Sequence, residues 1–159
     1  MRLSMRRCFL LISILLLTSL NPVHATQMAN DSVVSKEYNL LMQVRGREVT
    51  ALCIMNQETD AHIVGTIINE FGVKVFDFIF DNGKAQILNV IGPLDKWYIR
   101  KVLRGDFAFI LSHIGRGENA VKKKRRLEIM PNGDISVKNE RFKINYLFTP
   151  ITDNNEIDE

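Results

Sequence analysis

The sequence predicts an α+β domain: a curved antiparallel β-meander, in effect an unclosed barrel, covered by one or two helices inserted mid-chain. Three observations predict it. Period-two alternation recurs in short stretches separated by Gly, Pro, Asn and Asp, the signature of strands linked by tight turns. One amphipathic helical stretch interrupts those strands after Pro93. Finally, residues 49–55, 63–68 and 73–80 carry hydrophobes on both parities. A flat sheet with one wet face alternates more cleanly, so this sheet needs a cover, a curl or a partner.

The first 25 residues are read apart from the fold. Arg2, Arg6 and Arg7 precede a largely apolar run from Phe9 to Leu20, and Val23-His24-Ala25 closes it with small residues. That is the layout of a secretory signal peptide cleaved near Ala25. The expected product is an exported, periplasmic or otherwise soluble protein. Removal changes the charge: the chain holds 21 Lys+Arg and 18 Asp+Glu, and the signal takes three arginines and no acid. The remainder is formally neutral, which gives no reason to expect nucleic acid. Cys8 leaves with the signal, so Cys53 has no disulfide partner and the core must hold the fold by itself.

Residues 26–37 are polar and aperiodic and read as a flexible lead-in. A single domain over 38–148 follows. Tyr38, Leu40, Met42 and Val44 alternate as a half-buried strand, and Gly46-Arg47 turns the chain into a return strand to Met55. A polar loop, Asn56 to Ala61, precedes a third strand from Ile63 to Glu70, where Gly65 signals a bulge or a close approach. Phe71-Gly72 forms a sharp corner. Val73 to Phe80 then sets Phe76, Phe78 and Phe80 on one face. Asp81-Asn82-Gly83 is a hairpin turn, because Asn and Gly tolerate positive φ. Ala85 to Ile91 pairs back.

Pro93 suits the first turn of a helix in which Leu94, Tyr98 and Val102 share a face. Gly105 ends that helix in this reading, and Asp106 caps a second short one from Phe107 to His113. The basic run Lys122 to Arg126 reads as a charged edge strand protected from aggregation. Pro131-Asn132-Gly133-Asp134 is a turn, and Ile135 to Val137 and Phe142 to Phe148 are the last strands. Residues 149–159 form an acidic tail.

Chemistry is sparse. There is no nucleotide-binding glycine loop and no nucleophile elbow. Two histidines beyond the signal and one cysteine are too few for structural zinc, so no metal and no cofactor is expected. Cys53 sits in the apolar strand Ala51 to Met55 and reads as a small buried hydrophobe, not as a nucleophile paired with His62 or His113. Glu70 and Asp77 are the carboxylates placed oddly enough to test for acid–base work. The expectation is a protein that binds and does not catalyse.

Gly65, Asn69-Glu70-Phe71-Gly72, Phe76-Asp77-Phe78 and Asp95-Lys96-Trp97-Tyr98 carry a resemblance to the lipoprotein-carrier superfamily, the LolA/LolB-like fold, among its small exported members. The resemblance spans about residues 38–148. It implies an unclosed barrel whose helix-lidded hydrophobic cavity holds lipid or lipoprotein acyl chains. The chain is shorter than the carriers and lacks the acylated cysteine of the receptor member. The expected cavity lining is Met42, Phe76, Phe78, Phe80, Leu88 and Val90 from the sheet, with Trp97, Tyr98 and Val102 from the helix. Lys96, Arg100 and Arg104 would form a headgroup rim in peripheral contact with the membrane. The alternative is an envelope protein–protein interaction or structural module using the same apolar surplus.

Overall fold

The computed structural model describes residues 33–44 and 46–151. The proposed signal peptide, the lead-in up to residue 32 and the tail from residue 152 lie outside them. Among the described residues nine strands form one antiparallel sheet: β1 (Val34–Val44), β2 (Arg47–Thr59), β3 (His62–Asn69), β4 (Lys74–Asp81), β5 (Lys84–Leu88), β6 (Ala120–Lys122), β7 (Arg125–Ile129), β8 (Ile135–Asn139) and β9 (Ile144–Pro150). A 3-10 turn, Gly92–Leu94, leads into the one α-helix among the described residues, α1 (Trp97–Ile114).

The sheet order is β5-β4-β3-β2-β1-β9-β8-β7-β6. The chain walks outward from β1 to the edge strand β5. The helix then carries it to the opposite edge, and it walks back from β6 until β9 pairs with β1 along Tyr38–Pro150 to Val44–Ile144. The edges β5 and β6 do not pair, so the barrel is open. Its curvature follows from the helix contacts. Helix α1 packs against β5 and β4 near one edge and β7 near the other. Laid flat, the seven strand spacings from β5 to β7 would cover roughly 34 Å at about 4.8 Å each, several times a helix radius. Only a sheet curled around the helix brings both edges to it.

Alternation decides what the curl encloses. Tyr38, Leu40, Cys53, Met55, Ile63, Ile67, Phe76, Phe78 and Phe80 face inward and are buried, as are Leu127, Val137, Tyr146 and Phe148 from the returning strands. Phe107 of the helix sits at their centre, 5.3 Å from Phe76, 5.0 Å from Phe78 and 6.4 Å from Tyr146 between ring centroids. Gly65 is a close approach: a Cβ there would run into the ring of Phe78 and the carbonyl of Ile54. Asn82 and Gly83 both take positive φ, the conformation the Asp-Asn-Gly hairpin requires.

Several expectations need correction. Strand β1 begins at Val34, so residues 34–37 belong to the sheet and not to a lead-in; they find a full ladder on β2, from Val34–Gln57 to Glu37–Ile54. Thr149 and Pro150 likewise belong to β9 and not to the tail, paired with Asn39 and Tyr38. The helix does not break at Gly105. It runs 18 residues without interruption, and Asp106 turns inward instead of capping a second helix. The hydrophobes of the two parities divide between the two faces of the curled sheet. Leu41, Leu52, Ile54, Ile68, Ile79 and Leu147 lie on the outer face and are half-buried by their neighbours in the sheet.

Candidate functional site

The two halves of α1 have different surroundings. From Leu103 onward its inner side is buried through Asp106, Phe107, Phe109, Ile110, Leu111 and Ile114. The first two turns are more open: Trp97 is 76 % exposed and Tyr98 50 %, while Ile99 and Val102 are only half-buried against the core. Beneath those turns the apolar side chains do not close up. A cavity of about 330 Å³ lies between Leu94, Tyr98, Ile99 and Val102 on the helix side, Met42, Phe76 and Tyr146 on the sheet, and Phe142 from the β8–β9 turn. A second, of about 630 Å³, shares Met42, Val44, Phe76, Leu94, Leu103 and Tyr146 with it and extends past Val49, Val75 and Arg47. Their shared lining makes them neighbouring lobes of one apolar space. Both volumes fall in the range of small-molecule sites, and so does the character of the walls, which are aliphatic and aromatic with a few polar groups. A larger depression of about 1000 Å³ lies between the β1–β2 and β8–β9 turns, but Gln43, Glu48, Lys138, Arg141 and Lys143 line it. Charged and amide side chains dominate its rim, with Phe142 its one large hydrophobe.

The walls are held in place by a buried polar cluster. Asp106 is 1 % exposed. Its Oδ1 accepts from Arg125 Nε at 2.6 Å and from Asn139 Nδ2 at 2.6 Å, and its Oδ2 accepts from Tyr146 Oη at 2.8 Å. One carboxylate therefore ties α1 to β7, β8 and β9, and the ring of Tyr146, fixed by that bond, forms the common wall of both lobes. Burial and the neighbouring Asp106 carboxylate push the Tyr146 phenol well above its ordinary pKa, so it stays a donor. Gly105 belongs to the same arrangement: a Cβ there would stand 2.9 Å from a terminal guanidinium nitrogen of Arg125. The glycine that looked like a helix stop is the clearance that lets Arg125 cross the helix.

The entry to the helix is pinned separately. Arg100 pairs with Asp95 at 2.5 Å and donates from Nη1 to the Ile87 carbonyl of edge strand β5 at 3.0 Å. The Arg100 hydrogen bond, followed by its charge, holds the exposed Asp95 carboxyl below its ordinary value.

The expected cavity residues separate into groups. Met42, Phe76, Tyr98 and Val102 line the lobes. Phe78 is in the core under Phe107, and Phe80 is buried towards the far end, beside Asp60 and Ser112. Val90 is buried where the chain leaves β5. Leu88 is a correction. It pairs with Asp77, and both point outward; Ile87, opposite Phe78, is the inward residue. Trp97 stands out in solvent with Lys101 6.0 Å from its ring. Lys96 and Arg104 are exposed, and Arg100 is engaged as described. Sequence reasoning missed Leu94, Leu103, Phe142 and Ile144 as lining, and all of the Asp106 cluster. The available signal was the pairing of inward Ile144 and Tyr146 with Val44 and Met42, which requires knowing that β9 returns to β1.

The groups tested for chemistry are scattered. Cys53 is fully buried, and burial pushes its thiol up to about 12. His62 lies near Glu58 and Asp81, at 3.8 and 3.7 Å. His113 sits late in α1, its Nδ1 buried without a partner and its ring edge-on to Phe109 at 5.1 Å. Glu70 accepts from Thr50 Oγ1 in the β3–β4 corner. Asp77 faces outward; partial burial pulls its pKa up, but bonds from Asn89, Thr66 and Lys74 outweigh this and hold it below the ordinary value. Among the described residues no group of three or more His, Cys, Asp or Glu is placed to hold a metal ion. No helix among them is long and apolar enough to cross a membrane. Comparison with known protein families finds no matching family model, and comparison with curated proteins finds no match.

Proposed function

We propose that the protein is a non-enzymatic exported carrier, holding an acyl chain of a lipid or lipidated partner in the two-lobed space beneath the first turns of α1, in the manner of the lipoprotein carriers it resembles. The observation that carries this reading is the asymmetry of the helix: its second half is packed and latched, while its first half roofs an apolar space that no side chain fills. Apolar clefts of several hundred Å³ beside a dense core are where apolar ligands bind, and this one lies open beneath the first turns of α1. Acyl carbons gain about 0.8 kcal/mol each on entering such space, without any directional contact. The test is native mass spectrometry of the exported protein taken from its own envelope. A population carrying extra mass that dissociates as lipid supports the reading. A mass equal to the bare chain, with no lipid in an organic extract, contradicts it.

A second reading has one observation in its favour. The half-buried hydrophobes of the outer sheet face, Leu52 beside Ile68 and Leu41 beside Leu147, form cross-strand pairs with no layer over them among the described residues. They would serve an envelope protein–protein interface, and a stable complex seen in the same spectra would favour it.

A further inference from the structure

We infer that the protein docks on an anionic lipid surface with the end at which the apolar space lies. The inference takes from the acyl-chain reading the direction in which a chain would pass. Neighbouring strands alternate in direction, so every connection belongs to one end of the sheet or the other. The β1–β2, β3–β4, β6–β7 and β8–β9 turns and the segment entering α1 share one end. The β2–β3, β4–β5 and β7–β8 turns and the segment leaving α1 share the opposite end, where β1 begins and β9 finishes.

Charge divides the same way. Among the described residues, the connections at the first end and the residue flanking each hold Arg47, Lys74 and Lys96, then Lys122 to Lys124 with Arg125, then Arg141 and Lys143. Against these nine cations stand three carboxylates, Glu70, Asp95 and Glu140. Only Lys74 and Arg125 of the nine are met by a carboxylate among the described residues, at Asp77 and Asp106. The same count at the opposite end gives two cations, Lys84 and Arg116, and four carboxylates, Asp60, Asp81, Glu118 and Asp134. A chain that is formally neutral without its signal segment is thus strongly polarised from end to end.

The cationic end also carries the most exposed aromatic side chains among the described residues. Phe71, at the β3–β4 corner, is 80 % exposed, and Trp97, at the first turn of α1, is 76 % exposed. Basic groups with projecting Phe and Trp suit a headgroup region, where the charges meet lipid phosphates and the rings enter the interface. An acidic protein surface would account for the cations but would not call for two isolated aromatic tips.

The nine described strands, the described helix and their core lie within residues 33–151, so the chain from Thr26 is the form to test. It is floated with phosphatidylcholine vesicles and with vesicles that also contain phosphatidylglycerol, at low and high salt. The expected result is binding to the anionic vesicles only, lost at high salt. Lys123 and Lys124 form an exposed turn at positive φ, which Asn tolerates. Replacing both (Lys123→Asn, Lys124→Asn) removes two charges at no cost to the turn and is expected to weaken partitioning roughly 25-fold, about fivefold per charge. Phe71→Ser with Trp97→Ser is expected to weaken it while leaving the circular dichroism spectrum unchanged. Equal binding to both vesicle types, binding to neither, or variants that bind like the parent would overturn the inference, and binding to neither would turn attention to an acidic protein. Uptake of a fluorescent fatty acid without vesicles is measured alongside. Uptake without vesicle docking refutes this inference and leaves the carrier reading standing. Docking without uptake does the reverse.

Discussion

Replacing Asp106 by Ala removes the one carboxylate that joins α1 to three strands. Its three donors are Arg125 Nε and Asn139 Nδ2 at 2.6 Å and Tyr146 Oη at 2.8 Å. Asn139 is 1 % exposed and Tyr146 1 %, so neither recovers a water partner when the carboxylate goes. Each stranded donor costs about 1–3 kcal/mol. Arg125 keeps 20 % side-chain exposure and loses less than a fully buried cation would. Removal of one member of a buried pair typically costs about 3–5 kcal/mol, and that is the expected loss here. In a domain of this size it corresponds to a fall in melting temperature of roughly 10–20 °C. Urea and thermal denaturation followed by far-ultraviolet circular dichroism measure it. Tyr146→Phe deletes one donor, and the double-mutant cycle with Asp106→Asn should return a coupling of about 1 kcal/mol or more. Two results refute the reasoning: an Asp106→Ala variant within about 1 kcal/mol of the parent, or additive single effects.

Gly65→Ala should cost about 1–3 kcal/mol by overpacking, since the new methyl meets the Phe78 ring and the Ile54 carbonyl; Phe78→Leu in the same background should recover part of it. Cys53 should not react with a thiol reagent at pH 8 until denaturant unfolds the chain, because burial holds it as a neutral thiol. The part of the stability set by Cys53 and the buried tyrosines should be flat below about pH 9 and decline above it. The unfolded chain releases its thiol proton near 9.0 while folded Cys53 holds it to about 12, so the unfolded state binds fewer protons there. Tyr38 and Tyr146, both raised from 10.0, add the same sign from about pH 10. A Cys53→Ala variant titrated alongside should lose the first part of that decline and keep the second.

The alternation that makes a strand is local, so the sequence shows Phe76-Phe78-Phe80 as an inward face and Asn82-Gly83 as a turn. Register is not local. Leu88 and Ile87 are both apolar neighbours on one short strand, and only the pairing of Ile87 with Phe78 decides which enters the core. Gly105-Asp106 shows the same limit more sharply. A glycine followed by an aspartate inside a helical pattern has the local signature of a stop and a cap. What overrides it is Arg125, 20 residues on, which needs the missing Cβ and the buried carboxylate together. The basic run hid that role, because one inward arginine among five consecutive cations looks like its solvated neighbours. Likewise, the formal neutrality of the chain beyond residue 25 concealed a charge separation that appears only when the turns are sorted by the end of the sheet they occupy.

The carrier claim is tested most directly by titrating a fluorescent fatty acid into the parent protein and into Met42→Trp. Met42 lines both lobes, and an indole there fills the space between Phe76 and Tyr146. Burial of roughly ten methylenes is worth about 8 kcal/mol, equivalent to a Kd near 1 μM before the cost of immobilising the chain. The account predicts saturable binding to the parent and at least a tenfold loss in Met42→Trp, with the melting temperature of the variant unchanged or raised. Equal binding by both proteins, or none by the parent, would contradict it.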